Sequence, residues 1–559
     1  MPALHPMRVM KHLQQHFERW TLSLLTLGFT LWGLLFIYRS SFIAIDGLRY
    51  FSLFDDAMIS MRYAWNFAHG VGLVWNPGEY VEGYTNLLMV LLMSLSAFVI
   101  DNKRFAVLAI QLAGILFMVG NAYLTMRIAD AVSDDERLST VLRQHLRTLA
   151  FFCTLAYYPL VYWSLMGMET GLVTMLLLFS ILMVLRYEET DQTHYLYRLS
   201  LSLGLAYLTR PDALVPALII LAYLGYQMRQ ARKLKLFFVV VGLYLILPFS
   251  QTLFRWFYYG ELVPNTYVLK IEGIPYIHRI RNGLIFIKPF LQTNLVMISI
   301  ALLGVFFDFH RKKLLLAMII LATLGYQVWA GGDPWQYWRM LAPVMPLILM
   351  LLVYELLWMI EVLAKTHFFQ KYMLRRPVVN VQLMKTIMFI VVVFLFVLQT
   401  NNAFRREIAF ISRPYKVEAH RGNVDIAIAL QNVTTPKATI GVIEAGVIPY
   451  YADRVSIDFL GKADKYIARL EPDLVQPDWF GMRGVVGHNK YDLDYSIKKQ
   501  KPTYVQTYWW GQFAWGSQSI SDWGKQAYAE TNYKGHTLFF LKGSPEVQWA
   551  QLSDKETTP

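Results

Sequence analysis

From residue 21 to residue 404, long apolar runs alternate with short polar connections. Runs near 21–39, 105–127, 149–163, 170–186, 198–214, 217–230, 236–254, 290–308, 314–330, 341–362 and 385–404 approach the length a bilayer demands of a helix, about 20 residues. The pattern predicts a polytopic α-helical membrane protein with about eleven transmembrane helices. The first run follows a basic start (MRVMKHLQQHFERW) and has no small-residue cleavage site, so it reads as a retained helix. From Arg405 the character changes to Gly/Pro punctuation, short β-like runs (ATIGVIEAG, YVQTYW, HTLFFLKG) and balanced charge. The chain is thus expected to divide into a transmembrane part, 1–404, and a soluble α/β domain, 405–559, of ordinary domain size.

Basic residues set the expected orientation. Segments 1–20, 127–147, 186–198, 229–235, 311–313 and 363–385 hold 21 Lys and Arg, against 12 in the longer connections on the other side. Basic loops stay cytoplasmic. The tail and the first long loop, 40–86, are therefore expected outside, provided that 85–100 (TNLLMVLLMSLSAFVI) lies in the interface and does not cross.

Within that loop, Phe54–Asn86 carries an amphipathic pattern. Ala57, Met58, Met61, Ala64, Trp65 and Ala68 form one apolar stripe of a helix. Asp55, Ile59, Arg62 and Asn66 form another, with Asp55 and Arg62 roughly 10 Å apart along the axis. The bland reading is a solvated face with Asp55 or Asp56 capping the first turn.

Composition narrows the class. The chain is 56% hydrophobic and only 16% charged, well below the quarter usual for soluble proteins. The net charge of +13 does not indicate nucleic-acid binding: residues 405–559 hold 19 Lys+Arg and 17 Asp+Glu, net +2, so the remaining +11 lies among the membrane segments. A single cysteine, Cys153, excludes an intrachain disulfide and a cysteine zinc site.

The informative polar groups collect on the outer side. They are Asp55, Asp56 and Arg62; Glu82, Tyr84, Thr85 and Asn86 in EGYTN; Glu169 in GMETG; Arg210 and Asp212 in LTRPDAL; the loop 256–289; and Asp333 and Arg339 in GGDPWQYWR. Each has a local explanation: a helix terminator for RPD, a tight turn for GGDPW, a first-turn acid for GMETG, belt aromatics for WQYWR. Charges within spans are otherwise scarce, Glu355 being the clearest. Ionisable groups beside lipid need partners or water. Their coincidence on one side favours a surface active site over a transport path.

These residues resemble a family. DDAMISMRYAWNFAHGVGLVWNPGEYVEGYTN, GMETG, LTRPDA, GGDPWQYWRMLAP, and in the tail GVIEAGVIPYYADRVSIDFLGKAD and GHNK, are similar to the GT-C superfamily of integral-membrane glycosyltransferases, nearest to terminal β-(1→2)-arabinofuranosyltransferases. The resemblance implies a GT-C fold of about eleven transmembrane helices with a C-terminal periplasmic α/β domain in a bacterial inner membrane. It implies a polyprenyl-phosphate-linked sugar as donor and a cell-envelope glycan or glycolipid as acceptor. An aspartate of the first outer loop is then the base, here Asp55 or Asp56, with Asp55 favoured for sharing a stripe with Arg62. Arg62, Arg210 or Arg339 is expected to meet the departing phosphate. Asn66, Glu82, Tyr84, Thr85, Asn86, Glu169, Asp212 and Asp333 are further substrate-binding candidates, with His488 and Lys490 reaching in from the tail. No cofactor is required, although adjacent carboxylates at Asp55 and Asp56 can hold a divalent cation. Two rival readings are a polymerase or ligase using a diphosphate-linked oligosaccharide, and a transporter, which predicts an inverted repeat not visible here. Trp479, Tyr508, Trp509, Trp510, Trp515 and Trp523 in the tail read either as core or as sugar-stacking rings.

Overall fold

The computed structural model describes residues 6–133, 138–365, 393–474, 487–508 and 518–552. Among them, eight helices are long and apolar enough to cross a membrane, or nine if one bent pair counts as a single span. They are, with the flanking short helices, α1 (Pro6–Ser40), α2 (Asp55–Ala68), α3 (Leu87–Ile100), α4 (Lys103–Val132), α5 (Thr140–Ala156), α6 (Tyr158–Leu165), α7 (Thr170–Thr190), α8 (His194–Thr209), α9 (Leu214–Gln230), α10 (Leu234–Tyr259), α11 (Asn265–Ile271), α12 (Tyr276–Phe307), α13 (Arg311–Ala330) and α14 (Met345–Lys365). The chain is a multi-pass membrane protein. Of the eleven expected runs, 198–214 is only partly covered by α8, which is 16 residues long, and residues 385–392 of the run 385–404 fall outside the described residues.

Burial separates central from peripheral helices. The apolar windows of α7 and of the helix ending at Val362 are 78% buried, whereas those of α1 and α10 are 22% and 17% buried. The peripheral helices therefore present leucine and phenylalanine to lipid, as a helix that is apolar all round must. Helices α5 and α6 meet at a 55° bend around Tyr157. Asn401 satisfies the backbone there: its Oδ1 accepts from Tyr158 N at 3.0 Å and its Nδ2 donates to Ala156 O at 2.8 Å. Glu355 is not alone: Lys313 Nζ donates to it at 2.9 Å and to Asp308 at 2.8 Å, which ties α12, α13 and α14 together. Helix α3 covers most of the segment 85–100. At 14 residues it is about 21 Å long, short of a bilayer core.

The tail is α/β. A five-stranded mixed sheet runs in the order β4-β3-β5-β7-β6, where β3 is Thr439–Val442, β4 Val455–Asp458, β5 Tyr504–Val505, β6 Tyr528–Tyr533 and β7 His536–Leu541. Strand β3 pairs in parallel with β4 and β5, and the hairpin β6–β7 closes the other edge. A further two-residue pair, β1 (Phe42–Ile43) with β2 (Arg49–Tyr50), precedes α2. Helix α15 (Val417–Val433) and short helix α16 (Val447–Ala452) lie between sheet and bundle. One continuous cluster of buried apolar side chains joins the bundle to these two helices. Tyr508 and Trp523 belong to the tail's own core, so they are not free sugar platforms. Trp479, Trp509, Trp510 and Trp515 lie outside the described residues.

Candidate active site

Helix α2 is buried almost all round, from Asp55 to Ala64. The stripe that reads as solvated in the sequence is instead the seat of the tail. Neither aspartate caps the helix; Phe54 holds the N-cap position without a side-chain bond, and both acids sit in the first turn, where the helix dipole favours negative charge.

The two carboxylates diverge. Asp55 points at the start of α16. Its Oδ1 accepts from Val447 N at 2.8 Å, and both oxygens lie 3.2 Å from Gly446 N. Gly446 leaves no room for a side chain against the Asp55 backbone. Burial pushes the Asp55 carboxyl up to about 7, and the neighbouring Glu444 adds to the rise. Asp56 points the other way. Its Oδ2 accepts from Arg339 at 3.0 Å and from Trp335 Nε1 at 3.1 Å, while Lys462 of the tail bonds Oδ1. Burial opposes its charge, but Lys462 and Arg339 outweigh burial and hold the carboxyl far below the usual range. The two carboxylates therefore do not converge as a pair that could hold a divalent cation, because each acid is turned to different partners.

A charged network spreads from Asp56. Arg339 also donates to Asp333 Oδ1 at 2.7 Å. Among the described residues, its Nε–H and the second Asp333 oxygen are buried without a hydrogen-bond partner. Nearby, Arg210 holds Asp212 (Nε to Oδ1, 2.8 Å) and Glu169. Asn86 donates to the other Glu169 oxygen at 3.1 Å and accepts from Ser60 at 3.0 Å. Burial works against the Glu169 charge, yet Arg210 and Arg339 keep its carboxyl low. Arg210 and Arg339 together line the polar end of a narrow cleft whose other walls are Val173, Leu177, Pro216 and Val344. The backbone that presents Arg339 is unusual: Tyr337 and Trp338 have positive φ, 66° and 44°. Trp163 Nε1, donating to Tyr337 O at 3.1 Å, and the Tyr337 hydroxyl on Glu407 at 2.6 Å hold that turn. Trp335 and Tyr337 thus pack inward and are not belt residues.

Lys270 on α11 completes the cluster. It has no hydrogen bond or ion pair among the described residues. Burial brings its ammonium down to about 8, with Arg339 and Lys462 pushing the same way. Asn265 fixes α11 by donating to Gly461 O at 2.9 Å and Lys462 O at 3.0 Å. The sequence does not single out Lys270 or Lys462 as site residues: one lies in the polar loop 256–289, the other in GKAD, 406 residues from its partner Asp56.

Other expected site residues stand apart. Arg62 does not pair with Asp55. It donates to Trp75 O at 2.6 Å, Pro449 O at 2.5 Å, Asn76 Oδ1 at 2.9 Å and Arg454 O at 2.8 Å, which makes it a latch between α2 and the tail. Asn66 donates to Val74 O at 2.8 Å as part of that latch. Glu82 is buried against Arg255, and Tyr84 meets the Tyr259 hydroxyl at 3.1 Å. Lys490 is buried and donates to Val268 O at 3.1 Å and Ala468 O at 2.8 Å, so it braces backbone. Thr85 is half-buried beside Asn86. His488 stays near the site, edge-on to Trp335 with ring centres 5.7 Å apart.

Residues 409–551 match a family profile described only as a domain of unknown function, DUF8728. Over 222 residues, 39% of the chain, the sequence is 28% identical to the terminal beta-(1->2)-arabinofuranosyltransferase of Mycobacterium tuberculosis; the match spans 34% of that relative's length. In fold, the chain is similar to the Archaeoglobus fulgidus oligosaccharyltransferase tethered to an acceptor peptide, with TM-score 0.53 and 12% identity, covering 95% of this chain and 74% of that chain. It is similar also to the oligosaccharyltransferase AglB of the same organism in complex with an inhibitory peptide and a dolichol-phosphate, with TM-score 0.50 and 11% identity over the same shares, 95% and 74%. The chain is thus similar in fold to GT-C membrane glycosyltransferases and, over part of its length, similar in sequence to one of them.

Proposed function

We propose that the chain is an inverting glycosyltransferase that moves a sugar from a polyprenyl-phosphate carrier to a cell-envelope glycan, on the periplasmic side of a bacterial inner membrane. The observation that carries this reading is Asp56 set among Arg339, Lys462 and Lys270 beside the apolar cleft that Arg210 and Arg339 line. One carboxylate and an excess of cations next to an apolar wall suit a reaction whose leaving group is a lipid-borne phosphate. The arabinofuranosyl activity named for the mycobacterial relative makes a pentofuranose the first sugar to test.

In this reaction the acceptor hydroxyl oxygen bonds to the anomeric carbon while the bond from that carbon to the phosphate oxygen breaks. The electron pair leaves with the phosphate, and the hydroxyl proton passes to the Asp56 carboxylate. Arg339, Lys270 and Lys462 receive the departing anion, Arg339 with its unpartnered Nε–H and Lys270 with its unpaired ammonium. As the phosphate draws Arg339 and Lys462 away from Asp56, the carboxylate regains basicity. Asp55 seats the tail over the site and is a positioning residue. Arg210 and Glu169 brace the cleft wall.

The test is transfer from a radiolabelled polyprenyl-phospho-arabinofuranose by the purified protein in detergent. General base catalysis contributes about 10²–10⁴-fold, so Asp56→Asn is expected to lose that much turnover while still binding donor. Turnover by Asp56→Asn within a few-fold of wild type refutes the assignment. Transfer from a diphosphate-linked donor only would turn the reading to a polymerase or ligase.

A further inference from the structure

We infer that the cleft along the free edge of strand β4 binds the acceptor, and that this acceptor is an uncharged oligosaccharide. The inference rests on the glycosyltransferase reading above and adds the place and chemistry of its second substrate. Strand β4 ends the sheet. Its edge is bonded by Asn76, which accepts from Ser456 N at 3.0 Å and donates to Ser456 O at 2.7 Å, as a neighbouring strand would. Past that contact a cavity of about 550 Å³ opens between the loop 79–81, strand β4 and the helical turn Lys465–Ala468. This size lies within the usual range for ligand pockets, about 300–1,000 Å³.

Its walls suit sugar. Tyr80 and Tyr466 are 50% and 47% exposed, and the Tyr466 ring rests on Tyr495 with centres 4.2 Å apart. A tyrosine offers an apolar face for the C–H side of a pyranose or furanose and a hydroxyl at its rim. Glu79 and Asp464 supply carboxylates that accept from sugar hydroxyls, while Asp458 is buried. Among the described lining residues the one cation, Lys465, is turned away to Tyr259 O at 3.0 Å. A phosphate is repelled by such a wall, and the cationic cluster at Asp56 attracts one, so charge divides donor from acceptor. The acids do not amount to a metal site: among the described residues no group of three His, Cys, Asp or Glu could hold an ion.

The cleft also leads to the chemistry. Ala463 lines it, and the adjacent Lys462 is the residue bonded to Asp56. Asp458 fixes this connection by accepting from Leu460 N at 3.0 Å and Ala463 N at 2.8 Å. The lining of the cleft is therefore one residue along the chain from a side chain that bonds Asp56.

The test uses the full chain in detergent micelles and the double variant Tyr80→Ala/Tyr466→Ala, whose changed side chains are exposed. Binding of an arabinofuranose tetrasaccharide, a mannose tetrasaccharide and an oligolysine peptide is measured by saturation-transfer NMR and calorimetry, with a short-chain polyprenyl phosphate titrated in parallel. The expected result is that one neutral tetrasaccharide binds, that the double variant binds it about tenfold or more weakly, and that polyprenyl phosphate affinity is the same in both. Absence of tetrasaccharide binding to wild type, equal affinity in the variant, or displacement by oligolysine overturns the cleft assignment alone. Failure of wild type to bind polyprenyl phosphate strikes the enzyme reading itself.

Discussion

Replacing Asp55 by Asn separates the docking of the tail from catalysis. Burial and Glu444 push the folded Asp55 carboxyl up to about 7 from an ordinary 3.8. Between those two values the folded protein holds a proton that the unfolded chain has released. The stability this group contributes is therefore fully present below the unfolded value of 3.8 and is lost as pH rises to about 7. The loss proceeds at up to about 1.4 kcal/mol per pH unit, and the slope vanishes once both states are ionised. Asn has nothing to titrate, and its side-chain oxygen still accepts from Val447 N. The stability of Asp55→Asn relative to wild type is thus expected to rise steadily from pH 5 to pH 7 and to level off above it. Thermal unfolding followed by tryptophan fluorescence across that range measures the slope, and hydrogen exchange of the amides of Gly446 and Val447 reads the contact itself. Donor turnover by the variant is expected to stay within a few-fold of wild type. A variant with the wild-type pH slope, or one whose Val447 amide exchanges freely at pH 6, would refute the reasoning; so would complete loss of turnover in a well-folded Asp55→Asn.

Other perturbations test neighbouring parts. Lys270→Met removes no partner when donor is absent, so thermal stability should equal or exceed wild type, while affinity for polyprenyl phosphate falls roughly 10–100-fold in a binding titration. Arg255→Met strands buried Glu82 and is expected to destabilise by about 3–5 kcal/mol, whereas Glu82→Leu/Arg255→Met should recover most of the loss in the same melt. Gly446→Ala places a methyl against the Asp55 backbone, so it should release the tail and raise protease sensitivity between bundle and sheet. Arg62→Lys cannot hold the carbonyls of Trp75, Pro449 and Arg454 at once; hydrogen exchange should rise along 447–456 without a change specific to donor affinity.

Apolar runs of bilayer length needed no partner to be read, because a span satisfies its own backbone and meets only lipid or other helices. Although eleven spans were expected and eight or nine helices among the described residues are long and apolar enough to cross, the class was legible for the same reason. So was the set of polar clusters that converge: Asp56, Asn86, Glu169, Arg210, Asp212, Asp333 and Arg339 are joined in space or by one cleft. A charge beside an apolar helix must be paired or wet, so its presence in sequence already calls for a partner.

Only the tertiary structure decided what each of these residues touches. Helical periodicity places Asp55 and Arg62 on one face, but it does not say what lies against that face. Here it is the tail, nearly 400 residues later, and its backbone amides and carbonyls take both side chains. Asp56, one residue and about 100° away round the helix, thereby becomes the acid that faces the cations. Lys462 and Lys270 were invisible for the matching reason: a lysine in a polar loop is unremarkable until folding puts it against a buried carboxylate or a second cation. Local pattern determines which groups cannot rest in lipid; long-range packing alone determines which charges they meet.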